Sequence, residues 1–320
     1  MAVDVLVLFE HPEWQKPLFS ALERGGLSYD ALDLSQGAFD PRELPDARLV
    51  FNQASPSAYV RGHDRAVPFA ATLLRTYEAA GVPVVNGHQA FSLELSKSAQ
   101  IALMTRLGVA APRTLVFDEV GALIQRLQSE SFPFPALLKP DQGGSGARMV
   151  EVDGIDALEE AVEDPALWTP DPVLLLQEKL DYDPAQGIVR LELLGGQLLY
   201  AMRVVSHGAF NLCPAEVCNP SDGEAGACSI TQGPKVEFYP YPEVPQGAVR
   251  DALSLAEAGG LDVAGIEYAE VDGRPVFYDM NANSNLRPAI AQSFGFDPFD
   301  RVVAYLEARI TESARPRQVV

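Results

Sequence analysis

The first third of the chain alternates short apolar runs with helical stretches, and this alternation constrains the fold most. The apolar runs are Val3–Phe9, 49–51 and 82–85, and the helical stretches are 17–24 and 66–80. These strands are continuously apolar instead of alternating with polar residues, which is typical of a parallel sheet covered on both faces. We therefore expect a small doubly wound α/β domain.

The next segment, residues 91–107, carries apolar Leu95 and Ile101 at helical spacing and is followed by Gly108. Glycine is common directly after a helix, so the pattern predicts one helix over 91–107. Lys97 then projects from a helix early in a second domain.

Strands dominate from residue 112 onward. Apolar runs at 114–117, 136–139, 149–152 and 173–177 alternate with helical pieces at 119–129 and 155–162, which indicates an α+β unit. Two hairpins around Gly195-Gly196 and Asp272-Gly273, a Pro- and Gly-rich loop at 219–245 and a helix near 298–310 complete the chain. The predicted fold class is α/β and α+β, with domains at 1–88, 89–185 and 186–320.

The excess of acidic residues in the chain limits the classes of partner that it can bind. Its 320 residues include 24 Lys and Arg against 44 Asp and Glu, a net charge of −20, so the averaged field repels nucleic acid and anionic membranes. Without a basic leader or an apolar run of ~18 residues, we expect a cytoplasmic protein. Cys213, Cys218 and Cys228 lack the paired spacing of a zinc site, and we expect no metal or disulfide role for them.

A glycine-rich element, Gly143-Gly144-Ser145-Gly146, lies between two apolar strands. Free backbone amides in such a loop can hold phosphate oxygens. It is not a Walker loop, because Ala147 follows where lysine is required. On these residues alone, a flexible hairpin turn remains the alternative.

Two of the five lysines stand in apolar surroundings. Lys139 ends an apolar strand just before the glycine loop, and a charge there needs an anionic partner, either a ligand or a structural carboxylate. Lys97 lies on the predicted helix, where a solvated surface lysine is the alternative to a ligand contact.

The apolar strand at 173–177 turns polar at Gln177-Glu178-Lys179-Leu180. Such an abrupt change fits a hinge whose backbone groups read the edge of an adenine, with Glu178 holding the amino group or ribose. An ordinary strand exit is the alternative.

The most specific local pattern joins Glu267 to Asp279 and Asn281 across the second hairpin. Asp279 and Asn281 are two apart on one strand and share a face, and their oxygens suit magnesium. A tight two-residue Asp272-Gly273 turn would pair Glu267 with residue 278 and send Asp279 to the other face. We predict a three-residue loop or an equivalent bulge, which places Glu267 opposite Asp279. A solvated acidic face is the alternative.

Polar side chains on nearby strands and loops complete the candidate site. Arginines offer fixed donors to carboxylate or phosphate oxygens, although each could equally form a surface ion pair. The candidates are Arg190, Arg203, Asn211 and Arg287. His11 and His207 show no partner pattern that predicts a base.

In their order along the chain, these elements resemble the ATP-grasp superfamily, most closely its RimK-like and glutathione-synthetase-like amide ligases. The resemblance begins with LRTYEAAGVPVVN at 74–86, continues through Lys97 and LGVAAPRT at 107–114, and reaches Asn281. It covers about two thirds of the chain, and it implies an ATP-grasp fold preceded by a doubly wound pre-ATP-grasp domain.

The resemblance also implies roles for the candidate residues. ATP would lie between two α+β subdomains, with Lys97 and Lys139 on its phosphates, the 143–146 loop as a lid and the 177–180 hinge at its adenine. Glu267, Asp279 and Asn281 match the family's ligands for Mg²⁺, with Mn²⁺ as an alternative cation. Arg190 matches the family's arginine before the central hairpin, and Asn211 resembles the asparagine near the transferred phosphate.

The chain departs from the family around the acceptor site. Relatives usually show Asn-x-Ser/Thr-Pro-Gly after the metal ligands, where this chain has NANSNLR at 281–287. Ile188 replaces the acid that often precedes the equivalent of Arg190. These departures leave the substrates unassigned.

The chemistry implied is activation of a carboxylate by ATP to an acyl phosphate, which a small-molecule amine then attacks. Lys97, Lys139, Arg203 and Mg²⁺ would stabilise the transferred phosphoryl group. A kinase acting on a hydroxyl and a nucleotide-binding module without turnover are the alternatives. A homodimer is a common default for such enzymes.

Overall fold

The first sheet lies near the N-terminus of the computed structural model, which describes residues 2–144, 146–169, 171–206 and 236–313. Its parallel strands are β1 (Val3–Phe9), β2 (Tyr29–Asp33), β3 (Ala47–Gln53) and β4 (Val84–Val85), in the spatial order β2-β1-β3-β4. Helix α1 (Pro12–Gly25) packs on the face that holds Val5, and α2 (Ala66–Ala79) on the face that holds Leu8. Both faces are covered, which confirms the doubly wound arrangement.

The prediction of one helix over 91–107 is wrong. The chain forms α3 (His88–Glu94) and α4 (Lys97–Arg106), with Ser96 extended between them. The Ser96 hydroxyl accepts a hydrogen bond from the amide of Ala99 (3.1 Å) and donates one to Asp141 Oδ2 (2.8 Å). Serine is a strong N-cap residue, and capping starts a new helix here instead of continuing the old one. Lys97 therefore becomes the first residue of α4.

The second sheet is antiparallel. Its strands are β5 (Thr114–Phe117), β6 (Ala136–Pro140), β7 (Val150–Val152) and β8 (Leu174–Glu178), in the order β5-β8-β6-β7. Helices α5 (Val120–Ser129) and α6 (Ile155–Ala161) cover the face that carries Leu138 and Leu176. Because side chains alternate along a strand, Lys139 and Gln177 lie on the opposite face.

The third sheet is also antiparallel. Its strands are β9 (Ile188–Leu194), β10 (Gln197–Val205), β11 (Glu237–Pro240), β12 (Val263–Val271) and β13 (Arg274–Asn281), in the order β11-β10-β9-β12-β13. Gly195 and Gly196 have φ of 55° and 76°, as the predicted tight turn requires. Strand β11 lies within the segment predicted to be a loop, because its backbone pairs with β10 over Met202–Val205.

Helices cover both faces of this third sheet. Helix α7 (Gln246–Gly259) and α4 pack on the face that holds Val189, whereas α9 (Pro298–Ser313) packs on the face that holds Ile188. The short helix α8 (Pro288–Gln292) follows β13 and precedes α9. No helix in the described part of the chain combines the length and apolar character needed to cross a membrane.

Asn86 joins the first sheet to the third. Its Oδ1 accepts hydrogen bonds from the amides of Asp262 (2.9 Å) and Val263 (3.1 Å), and its Nδ2 donates to the Val263 carbonyl (2.9 Å). Asn86 is fully buried and has φ of 53°, a left-handed conformation that asparagine tolerates better than most residues. These hydrogen bonds hold the segment that leads into α3 and α4 in a fixed position relative to β12 and β13.

The register of the β12–β13 hairpin decides the candidate metal site. The turn is a tight one, with only Asp272 and Gly273 between paired residues, so a three-residue loop is absent. A bulge between Glu267 and Tyr268 instead shifts the register and pairs Glu267 with Asp279. The equivalent bulge allowed by the prediction is therefore confirmed, since an extra residue in one strand changes which side chains face each other.

Candidate active site

One cavity of about 260 Å³ gathers side chains from the second and third sheets and from the N-terminal region. Its lining includes Lys97 and Lys139, three glycines of the 143–146 loop, the 177–180 hinge, and Glu267, Asp279 and Asn281. Ser145, Asn211, His207 and the three cysteines lie outside the described residues. Most of the residues predicted for nucleotide and metal thus share one space, although they span more than half of the chain.

The two lysines enter this cavity from different elements. Lys139, on β6, is 8% exposed and donates a hydrogen bond from Nζ to Gln177 Oε1 (2.8 Å). Burial, together with the charge of Lys97, lowers the pKa of Lys139 to about 8. Lys97, equally buried at the start of α4, contacts the carboxylate of Asp279. Both ammonium groups therefore lie in a poorly solvated space where an anionic ligand would stabilise them.

The glycine loop lies close against the N-terminal region. A Cβ on Gly144 would stand 2.7 Å from Ser57 Cβ and 3.1 Å from the Ser57 amide nitrogen. Ser57 belongs to a 3-10 turn, Pro56–Arg61, that follows β3. Any larger residue at position 144 would push the loop away from this turn, so glycine is required for the close approach.

The end of β8 forms another wall. Gln177 is held by Lys139 and by Thr114, whose hydroxyl accepts from Gln177 Nε2 (3.0 Å). Glu178 Oε2 accepts from the Arg113 amide (3.0 Å), and Lys179 pairs with Glu151 (2.6 Å). These contacts hold the side chains of Gln177, Glu178 and Lys179 in place at the cavity wall.

The oxygen set on the hairpin suits a divalent cation. Glu267 and Asp279 face each other across the bulge, and Asn281 Nδ2 lies 3.3 Å from Asp279 Oδ2. Burial raises the pKa of Glu267, whereas the pKa of Asp279 falls despite burial because Lys97 is so close. The trio is two carboxylates and one amide, the hard oxygen donors that Mg²⁺ prefers. No group of three His, Cys, Asp or Glu side chains that could hold a metal occurs among the described residues.

Arg190 is the centre of a buried ionic network. It is 4% exposed and contacts Glu192 (2.7 Å), Glu267 (2.6 Å) and the hydroxyl of Ser284 (3.1 Å). Burial opposes its charge, but the two carboxylates outweigh burial and raise its pKa. A Cβ on Gly265 would meet the guanidinium at 2.0 Å, so β12 needs glycine where the arginine crosses it. The network fixes one oxygen of Glu267 and orients the other.

Two further arginines lie away from the cavity wall. Arg203 pairs with Glu270 (3.0 Å) and donates to the Gln186 carbonyl (3.2 Å). The Arg287 guanidinium stacks 4.0 Å from the ring centroid of Phe238, and neither arginine is among the lining residues. The structure therefore does not bring these two predicted residues into the described cavity.

The sequence interpretation missed several lining residues. Glu94, Asn283 and Trp14 all face the cavity. Burial raises the pKa of Glu94 to about 8. Asn283 lies in the stretch that departs from the family pattern, which was a usable signal, but Glu94 and Trp14 carry no local pattern. His11 stacks on Trp14 with ring centroids 4.5 Å apart.

The chain is similar in sequence to known proteins at about a quarter identity. No family model matches the chain. It is 26% identical over 314 residues to a probable alpha-L-glutamate ligase of Serratia proteamaculans, covering 92% of this chain and 91% of the relative. A protein of the same description from Thioalkalivibrio sulfidiphilus is 25% identical over 254 residues, covering 78% of this chain and 74% of the relative.

Solved structures show the same fold. A RimK domain ATP-grasp protein from Sphaerobacter thermophilus superposes with a TM-score of 0.67 at 17% identity, over 94% of this chain and 98% of that one. The VanG D-Ala:D-Ser ligase from Enterococcus faecalis gives 0.69 at 14% identity, over 97% and 100%. The chain has the ATP-grasp fold, as the order of its motifs predicted.

Among proteins with this fold, the sequence relatives of the chain are named as probable alpha-L-glutamate ligases. They give no support to the alternative of a kinase.

Proposed function

We propose that the chain uses Mg·ATP to activate a carboxylate as an acyl phosphate and joins it to an amine within the described cavity. The observation that carries the proposal is the convergence of Lys97, Lys139 and the Glu267–Asp279–Asn281 trio on one cavity. Bound Mg·ATP would supply the phosphoryl group that makes the carboxylate open to attack.

The chain's own groups would bind and orient the nucleotide. Lys97 and Lys139 would neutralise phosphate oxygens, and the amides of the 143–146 loop, including Ser145, would add hydrogen bonds. Gln177, Glu178, Lys179 and Leu180 would line the adenine pocket through their backbone. The close contact of Gly144 with Ser57 would exclude water from the reacting groups.

The metal would be held by Glu267, Asp279 and Asn281. Arg190 keeps Glu267 in place through the contact at 2.6 Å, and Tyr278 donates its hydroxyl to Glu267 Oε2 (2.9 Å). Partners of this kind orient metal ligands and adjust their affinity. We assign Mg²⁺ to this site, with Mn²⁺ as an alternative cation.

The roles of the other candidate residues and the identity of the substrate are also proposals. Arg190 acts through Glu267, and Asn211 would act near the transferred phosphate. Arg203 and Arg287 would reach the phosphate or the acceptor only by leaving Glu270 and Phe238. Because the sequence relatives are named as glutamate ligases, we propose an amino acid such as L-glutamate as one substrate. The three domain boundaries, a cytoplasmic location and a homodimer remain predictions.

The test is ADP release with Mg·ATP across a panel of amino acids and dicarboxylates, with and without amine acceptors. Turnover that needs both a carboxylate and an amine supports the proposal. Asp279→Asn should abolish it, and Asp272→Asn, an exposed position on the same hairpin, should leave it unchanged. Transfer of phosphate to a hydroxyl would instead show a kinase, and binding of ATP without ADP release under any condition would show a module without turnover.

A further inference from the structure

Two buried acceptor oxygens in the cavity have no hydrogen-bond partner. Glu94 is 1% exposed and Asn283 is 9% exposed, and both residues line the cavity. Glu94 Oε2 and Asn283 Oδ1 are each fully enclosed and unpartnered. Buried polar atoms are paired in the great majority of cases, so two unpaired acceptors on residues that line one cavity indicate a missing donor.

The two side chains are held in place by their other atoms. Glu94, the last residue of α3, accepts the Asn283 amide at Oε1 (3.1 Å). Asn283 Nδ2 donates to the Gln53 carbonyl (3.0 Å), and this contact directs Oδ1 of the same amide elsewhere. The two free oxygens are therefore fixed before a ligand arrives, which limits the entropy lost on binding.

The chemistry of the pair selects a cationic donor. Both free atoms accept hydrogen bonds, one of them belongs to a carboxyl group, and an ammonium group supplies several donors with a positive charge. Burial raises the pKa of Glu94 to about 8, and a neighbouring ammonium would favour its ionised form. Lys97 and Lys139 in the same cavity attract the anionic part of a ligand, so the cavity as a whole suits a zwitterion.

We infer that Glu94 and Asn283 form a subsite for the α-ammonium group of a substrate amino acid. The inference rests on the proposed function, which explains why an amino acid enters a cavity built for a nucleotide. Asn283 lies two residues beyond the proposed metal ligand Asn281, so the subsite adjoins the reacting groups. It also accounts for the asparagine that departs from the family pattern at position 283.

The experiment compares amino acids with acids that differ only in lacking the ammonium group. L-glutamate, L-aspartate and L-alanine are compared with glutarate, succinate and propionate, without nucleotide, by calorimetric titration. The wild type should bind at least one amino acid about tenfold or more tightly than its partner, as expected for hydrogen bonds to a charged group.

Glu94→Gln replaces the free acceptor with an amide while keeping the size of the side chain. The preference should fall to within about twofold, with the affinity for the acid lacking the ammonium group unchanged. Glu94→Asp keeps the carboxyl group but shortens its reach and should give an intermediate preference. Glu159→Gln, at an exposed position of α6, is the matched control and should keep the wild-type ratio.

The inference is overturned if the wild type prefers no amino acid, or if the preference survives in Glu94→Gln. In either case ordered water or Lys97 donates the missing hydrogen bonds to Glu94 and Asn283. The comparison of amino acids with acids that lack the ammonium group, made on the wild type, tests the subsite even when a variant does not fold. Because no nucleotide is present, an ammonium preference without ADP release would refute the proposed function alone. ADP release without the preference would refute the subsite alone.

Discussion

Lys139 should make nucleotide binding depend on pH. Its pKa of about 8 lies below the usual value for lysine, so the free enzyme loses this charge as the pH rises through 8. A bound phosphate would hold the lysine protonated. The dissociation constant should then grow with the fraction of free enzyme that is deprotonated, by about tenfold between pH 7 and pH 9.

The assay is calorimetric titration of a nonhydrolysable Mg·ATP analogue at pH 7, 8 and 9. Lys139→Arg replaces the titrating group with a permanent cation, and its affinity should change by less than about twofold over this range. Lys16→Arg, an exposed change on α1, should follow the wild type. A wild-type affinity that stays flat, or a Lys139→Arg variant that weakens in parallel with the wild type, would refute the assignment of Lys139 to the phosphates.

Three further predictions concern stability and the loop. Arg190→Met leaves Glu192 and Glu267 buried without a cation and should lower the free energy of unfolding in denaturant by about 3–5 kcal/mol; a loss under about 1 kcal/mol would contradict the buried network. Gly144→Ala should weaken nucleotide binding without changing unfolding, and Ser57→Gly in the same chain should restore part of it, because the 2.7 Å contact is removed. Asn86→Ala removes several buried hydrogen bonds and should cost about 2–4 kcal/mol by the same denaturant assay. Asn86→Asp should lose at least as much, because a buried carboxylate oxygen would face the Val263 carbonyl.

The sequence predicted what depends on local pattern. Continuous apolar runs predicted the parallel first sheet, because a strand buried on both faces needs apolar side chains on both. The Gly195-Gly196 turn was readable because its positive φ values favour glycine. The order of the motifs predicted the ATP-grasp fold, and the shared strand of Asp279 and Asn281 predicted that both face one way.

The tertiary structure decided what depends on distant residues. Asp141 holds Ser96 at the break between α3 and α4, which no helical periodicity could show. Arg203 and Arg287 pair with an acid and an aromatic ring instead of lining the cavity, because the partner of a charged side chain is not encoded next to it. Glu94 and Asn283 meet across 189 positions of sequence. Local residue patterns set which elements form, but only packing brings their side chains together, since contacts between distant residues follow from the burial of the whole chain.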